Sequence, residues 1–521
     1  MLSFEIPRSL KQEYKLKGYQ KKGLAWLQNS FKMKNRKGVL LADDMGLGKT
    51  LQILSFASWL YEIEKYRETY FSEINRKPIL IVAPVILIDN WKNEYNKFFG
   101  DSIGTPLVLH GDTLRKYKIK EGNECYQYNT KLFNAELHLD TNKITKSNIV
   151  ITNYNTLVNY EFSFASIDWS VVIFDEAQEI KETSSHKSTV AKALKADFRI
   201  ACTGTPVENS LMDLWNIFDF LQPLLLGTKS EFKSICNKLS GDEDNDSNQV
   251  YQDIRNKLHY GKPYAYILRR EKKDVLGDLP VKTINPPYEV PLSEEQVNTY
   301  RRLKDRMMCA TKPEDKIKAF SDMNKFSQHP RLLSPVGTDS AQELIDECPK
   351  FKKLIEIIKN IEIKKEKVLV FCIYREIQKY LKLVLEHEFN IDNIDIINGE
   401  AKNRQALIDK FQKDDNTFKI LILSPRAAGV GLNIVKANHV IHYGRWWNPA
   451  KENQATDRVY RIGQEKDVHV YYLIDVYPDR SEYTFDEKLH NLIMKKIELA
   501  HNFLLPNDIE IDKEMFIDSF K

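Results

Sequence analysis

The stretch Leu41-Ala-Asp-Asp-Met-Gly-Leu-Gly-Lys-Thr50 constrains this chain more than any other. It follows an apolar run, Val39-Leu40-Leu41, and precedes a helical pattern of Leu51, Ile53, Leu54 and Phe56. A buried strand, a glycine-rich turn and a helix, in that order, make a phosphate-binding loop. The glycines let backbone N–H groups approach phosphate oxygens, and the helix N-terminus adds a favourable dipole. Lys49 is spaced to reach the β- and γ-phosphates of a nucleoside triphosphate, and Thr50 to hold Mg2+ through its hydroxyl. Asp43 stands where the usual Walker pattern has its first glycine, so Gly46 and Gly48 must make the turn.

Two further segments belong to the same chemistry. Val171-Val-Ile-Phe-Asp-Glu-Ala-Gln178 puts two carboxylates at the end of an apolar run. Ligands of open α/β sheets sit at the C-terminal ends of strands. There Asp175 would bind Mg2+ and Glu176 would orient the attacking water, because phosphoryl transfer needs positioning and charge neutralisation more than covalent chemistry. In Gln454-Ala-Thr-Asp-Arg-Val-Tyr-Arg-Ile-Gly-Gln464, Arg458 and Arg461 are three apart and share a face if the segment is helical. Guanidiniums so placed suit arginine fingers.

The chain has 521 residues, room for roughly three to four domain-sized units. A net charge of +4 does not by itself indicate nucleic-acid binding, so any such surface must come from local clustering of the 77 Lys and Arg. Apolar runs such as 79–88, broken by Pro84, are too short to span a bilayer. The N-terminus shows no basic-then-apolar leader, and no two of the six cysteines make a Cys-x-x-Cys pair. No membrane partner, zinc or disulfide framework is expected, and a reducing compartment fits.

Short continuous apolar runs at 79–83, 171–174, 368–372, 420–423 and 440–441 read as strands of parallel sheets. They form two clusters, which predicts an α/β chain with two lobes. Ser293-Glu-Glu-Gln296 predicts a capping box opening a helix through about Ala310. Pro280, Pro286, Pro287 and Pro291 predict an extended connector before it. The acidic 241–248 stretch reads as a loop, and 112–147 as an inserted segment with a hairpin turning near Thr141-Asn142.

With these motifs in order, the chain resembles the motor core of the Swi/Snf family of helicase superfamily two, in its prokaryotic style. Gly18-Tyr-Gln20 resembles the adenine-reading motif. Val82-Ala-Pro84 with Asn90-Trp91, His110-Gly111, and Ile151-Thr-Asn-Tyr154 resemble the motifs that follow the phosphate loop. Asp175–Gln178 is a Gln variant of the Asp-Glu-Ala-His box. Thr203-Gly-Thr-Pro206 with Glu208-Asn209, and Leu268-Arg-Arg270, match further family signatures, as do Arg426–Asn433 and Trp447-Asn-Pro449.

The resemblance implies two RecA-like parallel-sheet lobes with helical protrusions and a C-terminal bracing helix carrying Leu489, Leu492, Ile493, Ile497 and Ala500. Expected boundaries are 1–206 for the first lobe, 207–280 for its protrusion, 281–348 for a connector and second protrusion, 349–480 for the second lobe and 481–521 for the bracing helix and tail. The implied nucleotide site comprises Gln20, Asp44, Met45, Gly46, Leu47, Gly48, Lys49, Thr50, Gln178, Gly429, Gly431 and Gln454. Lys49, Asp175, Glu176, Arg458 and Arg461 would be catalytic, and Thr50 and Asp175 the Mg2+ residues. Asn90, Trp91, Gly111, Thr152, Asn153, Thr203, Asn209, Arg426 and Trp447 are the DNA-contact candidates it implies, with Lys181 and Arg404 beside them.

The implied activity is a DNA-dependent ATPase that translocates on double-stranded DNA without separating strands. A nucleotide-gated switch with slow hydrolysis is the alternative. A larger parent protein is expected, with antiphage defence, repair and transcription recycling as compatible settings. The compartment would be the cytoplasm, or the nucleus for a eukaryotic source.

Overall fold

The computed structural model describes residues 4–72, 76–100, 103–119, 138–182, 184–204, 211–238, 244–259, 261–277, 279–334, 340–401, 403–413, 417–425 and 434–502. The chain divides into two compact units, one ending at Gly277 and the other running from Asp278 to Asn502.

The first unit contains β1 (Gly38–Leu41), β2 (Ile79–Ala83), β3 (Leu107–Leu109), β4 (Ile149–Asn153), β5 (Asp168–Asp175), β6 (Lys195–Cys202) and β7 (Ile267–Leu268). All pair parallel, in the order β3-β4-β2-β5-β6-β1-β7. Alternate residues feed opposite faces, as the pleat requires. Leu40, Leu80, Val82, Val172 and Phe174 enter one apolar cluster. Val39, Leu41, Ile79, Ile81, Val171 and Ile173 enter the other. Helices cover both faces, so the strands read as unbroken apolar runs. Every strand points the same way, so the phosphate loop after β1, the Asp175 end of β5 and the Thr203 end of β6 share one edge.

The second unit contains β8 (Lys282–Ile284), β9 (Tyr288–Pro291), β10 (Lys367–Phe371), β11 (Asp395–Ile397), β12 (Lys419–Leu423), β13 (His439–His442) and β14 (Val468–Val476). Its order is β11-β12-β10-β13-β14-β8, again parallel, with β9 also on β14. The helix Glu294–Cys309 opens on the expected capping box: Ser293 Oγ accepts from Gln296 N, and Gln296 Oε1 accepts from Ser293 N. It packs with Pro313–Gln328 and Phe485–Asn502 around Tyr300, Met307, Met323, Phe485, Leu489 and Ile493. Leu492 packs half-buried against this cluster, while the side chains of Ile497 and Ala500 lie outside the described set.

The proline-rich connector is extended as expected, and it also joins the sheet: β8 pairs with Val468–Val470 and β9 with Leu473–Val476, so the two lengthen one edge of the second sheet. An edge position tolerates the missing N–H of proline. Two local expectations are corrected. Thr141-Asn142 is not a hairpin turn but the start of the helix Thr141–Ile144, whose N-cap Asp140 accepts from Lys143 N at 3.1 Å. An Asp before Thr-Asn serves a cap as well as a turn, and here Lys118 bridges Leu139 antiparallel instead. Within the acidic stretch, residues from Asp244 onward open the helix Asp244–Lys257, where acidic residues suit the first turn.

Among the described residues no helix is long and apolar enough to cross a membrane, and no group of three His, Cys, Asp or Glu is placed to hold a metal ion. Cys202, Cys236, Cys348 and Cys372 are buried, and Cys309 is exposed.

Candidate active site

Gly48 makes the last turn of the phosphate loop in the left-handed region, φ 74°, directly before the helix Lys49–Glu62. A Cβ there would lie 2.5 Å from Gln20 Nε2. The left-handed backbone favours glycine here, and Gln20 lies close by, donating to Leu47 O at 3.3 Å. Gln20 is held by Lys17 N, which donates to its Oε1 at 2.9 Å. Lys49 Nζ donates to the carbonyls of Asp43 at 2.7 Å and Asp44 at 3.4 Å, lying across its own loop. Met45, Gly46 and Thr50 are partly exposed beside it.

Asp43 replaces a glycine because it has a buried partner far along the chain. Its side chain is fully buried, and Arg270 grips it with both arms: Nε donates to Oδ1 at 2.9 Å, and a second guanidinium nitrogen pairs with Oδ2. Arg270 also donates to Gln52 Oε1 at 2.8 Å and to the Tyr19 carbonyl. Gln52 in turn donates to Asp43 Oδ2 at 3.2 Å. Beyond Arg270, Lys272 N donates to Asp44 Oδ2 at 3.0 Å. The base of the phosphate loop is therefore tied to the strand β7 segment by charge-assisted bonds. Composition and spacing do not reveal this lock; a charged residue at a glycine position was the available signal.

Asp175 ends β5 almost buried. Its Oδ2 accepts from Trp91 Nε1 at 2.8 Å and its Oδ1 from Glu176 N at 3.0 Å. Burial, and next the neighbouring Glu176 charge, push its carboxyl above the ordinary range, while the Trp91 bond and the Lys49 charge pull the other way. A bound cation would reverse that balance. Glu176 sits at φ 51°, ψ 55°, a left-handed conformation uncommon outside glycine. Tyr154 holds the turn, its hydroxyl donating to Asp175 O at 2.7 Å and lying 3.4 Å from Glu176 O. Gln178 Nε2 donates to Glu176 Oε2 at 2.8 Å, and Thr203 Oγ1 donates to Gln178 Oε1 at 2.7 Å. This chain ties the carboxylate after β5 to the end of β6.

These residues fit a magnesium-bound triphosphate. The loop turns through the left-handed Gly48, a lysine and a hydroxyl open a long helix, and Asp175 presents its carboxylate at the same edge of the sheet. Thr50 and Asp175 are the residues that would hold the metal.

The DNA-contact candidates divide. Asn90 and Gly111 are exposed. Trp91, Thr152, Asn153 and Thr203 are buried, with their side chains hydrogen-bonded within the unit. Thr152 donates to Leu109 O at 3.0 Å, and Asn153 caps the helix Tyr154–Asn159 by accepting from Thr156 N at 2.9 Å. Motif resemblance marked these positions without saying which way the side chains turn.

In the second unit the helix Pro449–Thr456 ends before the arginine pair, so Arg458 and Arg461 lie in successive turns rather than on one helical face. Arg458 is buried and Arg461 half-buried. Gln454 is buried, and among the described residues its Nε2 has no hydrogen-bond partner. Trp447 is half-buried, its ring 5.1 Å from Phe320 and 5.8 Å from Phe485. Asn209, Arg426, Gly429 and Gly431 lie outside the described residues.

Fold and site together define the first unit as a phosphate-loop, nucleoside-triphosphate-binding lobe, carried in one chain with a second parallel-sheet lobe. The SNF2-related domain matches residues 19–334, and the helicase conserved C-terminal domain matches residues 349–463. The chain belongs to the SNF2-related domain family. The Zorya protein ZorD of Escherichia coli is 38% identical over 522 residues, 96% of this chain and 46% of that protein. The putative ATP-dependent helicase/translocase YwqA of Bacillus subtilis is 34% identical over 494 residues, 92% of this chain and 48% of that protein. The chain thus spans about half the length of these curated relatives. A solved structure, the Sulfolobus solfataricus SWI2/SNF2 ATPase core in complex with dsDNA, is 28% identical, covers 99% of this chain and 97% of that chain, and has a TM-score of 0.43.

Proposed function

We propose that this chain is the motor core of an ATP-driven translocase that tracks along double-stranded DNA without separating its strands and displaces or remodels what is bound there. The observation that carries the reading is the Glu176–Gln178–Thr203 chain beside the phosphate loop. It backs a carboxylate suited to orienting a water, which a site built only to hold nucleotide does not need. Lys49 would engage the phosphates in place of its own loop carbonyls. Thr50 and Asp175 would hold Mg2+, whose chemistry is to neutralise charge on the β- and γ-phosphate oxygens. Arg458 and Arg461 are the arginines proposed to be catalytic, as neutralisers of phosphate charge. Movement then requires each nucleotide state to favour a different arrangement of the two units by differential affinity.

Exposed Asn90 and Gly111 are the candidates best placed for the DNA backbone, where contacts give register without sequence information. The name of the relative YwqA, a putative ATP-dependent helicase/translocase, supports an ATP-driven motor, and the chain's match to about half of YwqA and ZorD supports a longer protein.

The test is the ATPase rate with no nucleic acid, single-stranded DNA, duplex DNA and RNA, with Lys49→Ala as blank. Strong stimulation by duplex, followed by triplex displacement without fork unwinding, is the expected result. Equal rates under all four conditions would refute the reading.

A further inference from the structure

Trp91 was expected at a DNA surface, and its burial against Asp175 gives it other work. It lies on the helix Ile88–Phe98, whose inward face is Ile88, Trp91 and Tyr95. Its Nε1 donates to Asp175 Oδ2 across a sequence separation of 84, with both residues buried. The other described indoles of this unit are placed differently. Those of Trp26, Trp169 and Trp215 donate to main-chain carbonyls, and that of Trp59 lies 3.3 Å from Glu5 on the partly buried N-terminal segment.

We infer that Trp91 is a positioning residue for the metal-holding carboxylate, fixing Asp175 Oδ2 so that the remaining lone pairs of the carboxylate face the phosphate loop. A buried carboxylate with one oxygen pinned by an N–H and the other by Glu176 N has one orientation left. Hydrogen bonds to charged groups are the strong ones, and outer partners of metal ligands commonly matter about 10–100-fold in metal affinity. The same helix exposes Asn90 and Lys92, so one rigid element carries both the surface proposed for DNA and the donor to the metal-site carboxylate. This inference rests on the reading of Asp175 as a Mg2+ residue.

The experiment is a Mg2+ titration of binding of a fluorescent ATP analogue, without DNA, on the full chain. Trp91→Phe keeps an aromatic ring at the position and removes the donor. It should raise the Mg2+ concentration for half-maximal tightening roughly tenfold while leaving binding in EDTA unchanged. Tyr95→Phe, which removes the bonds of the same helix to Ile103 N and Gly104 O, should lower the melting temperature without moving that midpoint. Trp91→Phe with a wild-type midpoint overturns the inference alone. A wild-type chain whose nucleotide binding ignores Mg2+ overturns the site reading together with it. If Trp91→Phe does not fold, 15N-indole spectra of the wild type decide. One of the seven tryptophan N–H signals should respond to Mg2+ with ATP and shift in Asp175→Ala, and no responding signal would refute the role.

Discussion

Arg270 offers a direct test of how the phosphate loop is held. Arg270→Met preserves the aliphatic stem but leaves Asp43, fully buried, with Gln52 as its remaining side-chain hydrogen-bond partner. It also takes donors from Gln52 Oε1 and the Tyr19 carbonyl. Removing one partner of a buried ion pair costs about 3–5 kcal/mol, because the other charge stays buried without compensation. For a unit of this size each kcal/mol moves the midpoint by about 2–4 °C, so thermal unfolding of the first unit should fall by roughly 6–20 °C. Tryptophan fluorescence is suited to the assay, since Trp26, Trp59, Trp91, Trp169 and Trp215 lie in that unit. Adding Asp43→Asn to Arg270→Met should recover at least about 1 kcal/mol, as expected for groups in direct contact. A midpoint for Arg270→Met within about 2 °C of wild type, or strictly additive losses, would refute the reasoning.

Glu176→Gln should lower hydrolysis by about 10²-fold or more while nucleotide binding persists; equal turnover would remove Glu176 from its role. Thr203→Val takes the donor from Gln178 Oε1, so turnover should fall several-fold at unchanged nucleotide affinity, and stability should fall by about 1–3 kcal/mol in a melting assay. The second unit should lose stability in mild acid. Burial lowers His439, His442 and His490 to about 4 each from the ordinary 6.5, and for His439 it outweighs the adjacent Glu366. The unfolded chain therefore takes up more protons between those values, and stability falls as pH drops from 6.5 towards 4. Unfolding midpoints that stay level or rise over that range would contradict this.

What the sequence revealed was mostly local. The strand before the phosphate loop and the apolar runs at 79–83 and 420–423 are visible because burial on both faces leaves unbroken hydrophobic stretches. The capping box at Ser293 is visible because all its atoms lie within one turn. The lock of Asp43 by Arg270 was hidden because its partners are 227 residues apart, and the unusual Asp43 does not name its partner. Trp91 and Thr203 were legible as motif members but not as to orientation, which packing decides. The arginine pair kept its residues and lost its helix, since the segment after Thr456 turns where periodicity alone would continue.

The edge strands β8 and β9 carry a consequence for how this chain can be inherited or cut. They bring the residues just after Gly277 into register with β14, and the helices that follow wrap onto Phe485 and Leu489. A fragment begun at Pro349, where the helicase C-terminal match starts, would strip two strands and two long helices from its own sheet and core. The exchangeable module is therefore longer than its recognisable signature. Recombination, limited proteolysis and laboratory truncation should all find their tolerated breakpoint near Gly277, and a second half begun there should express as a folded piece where one begun at Pro349 aggregates.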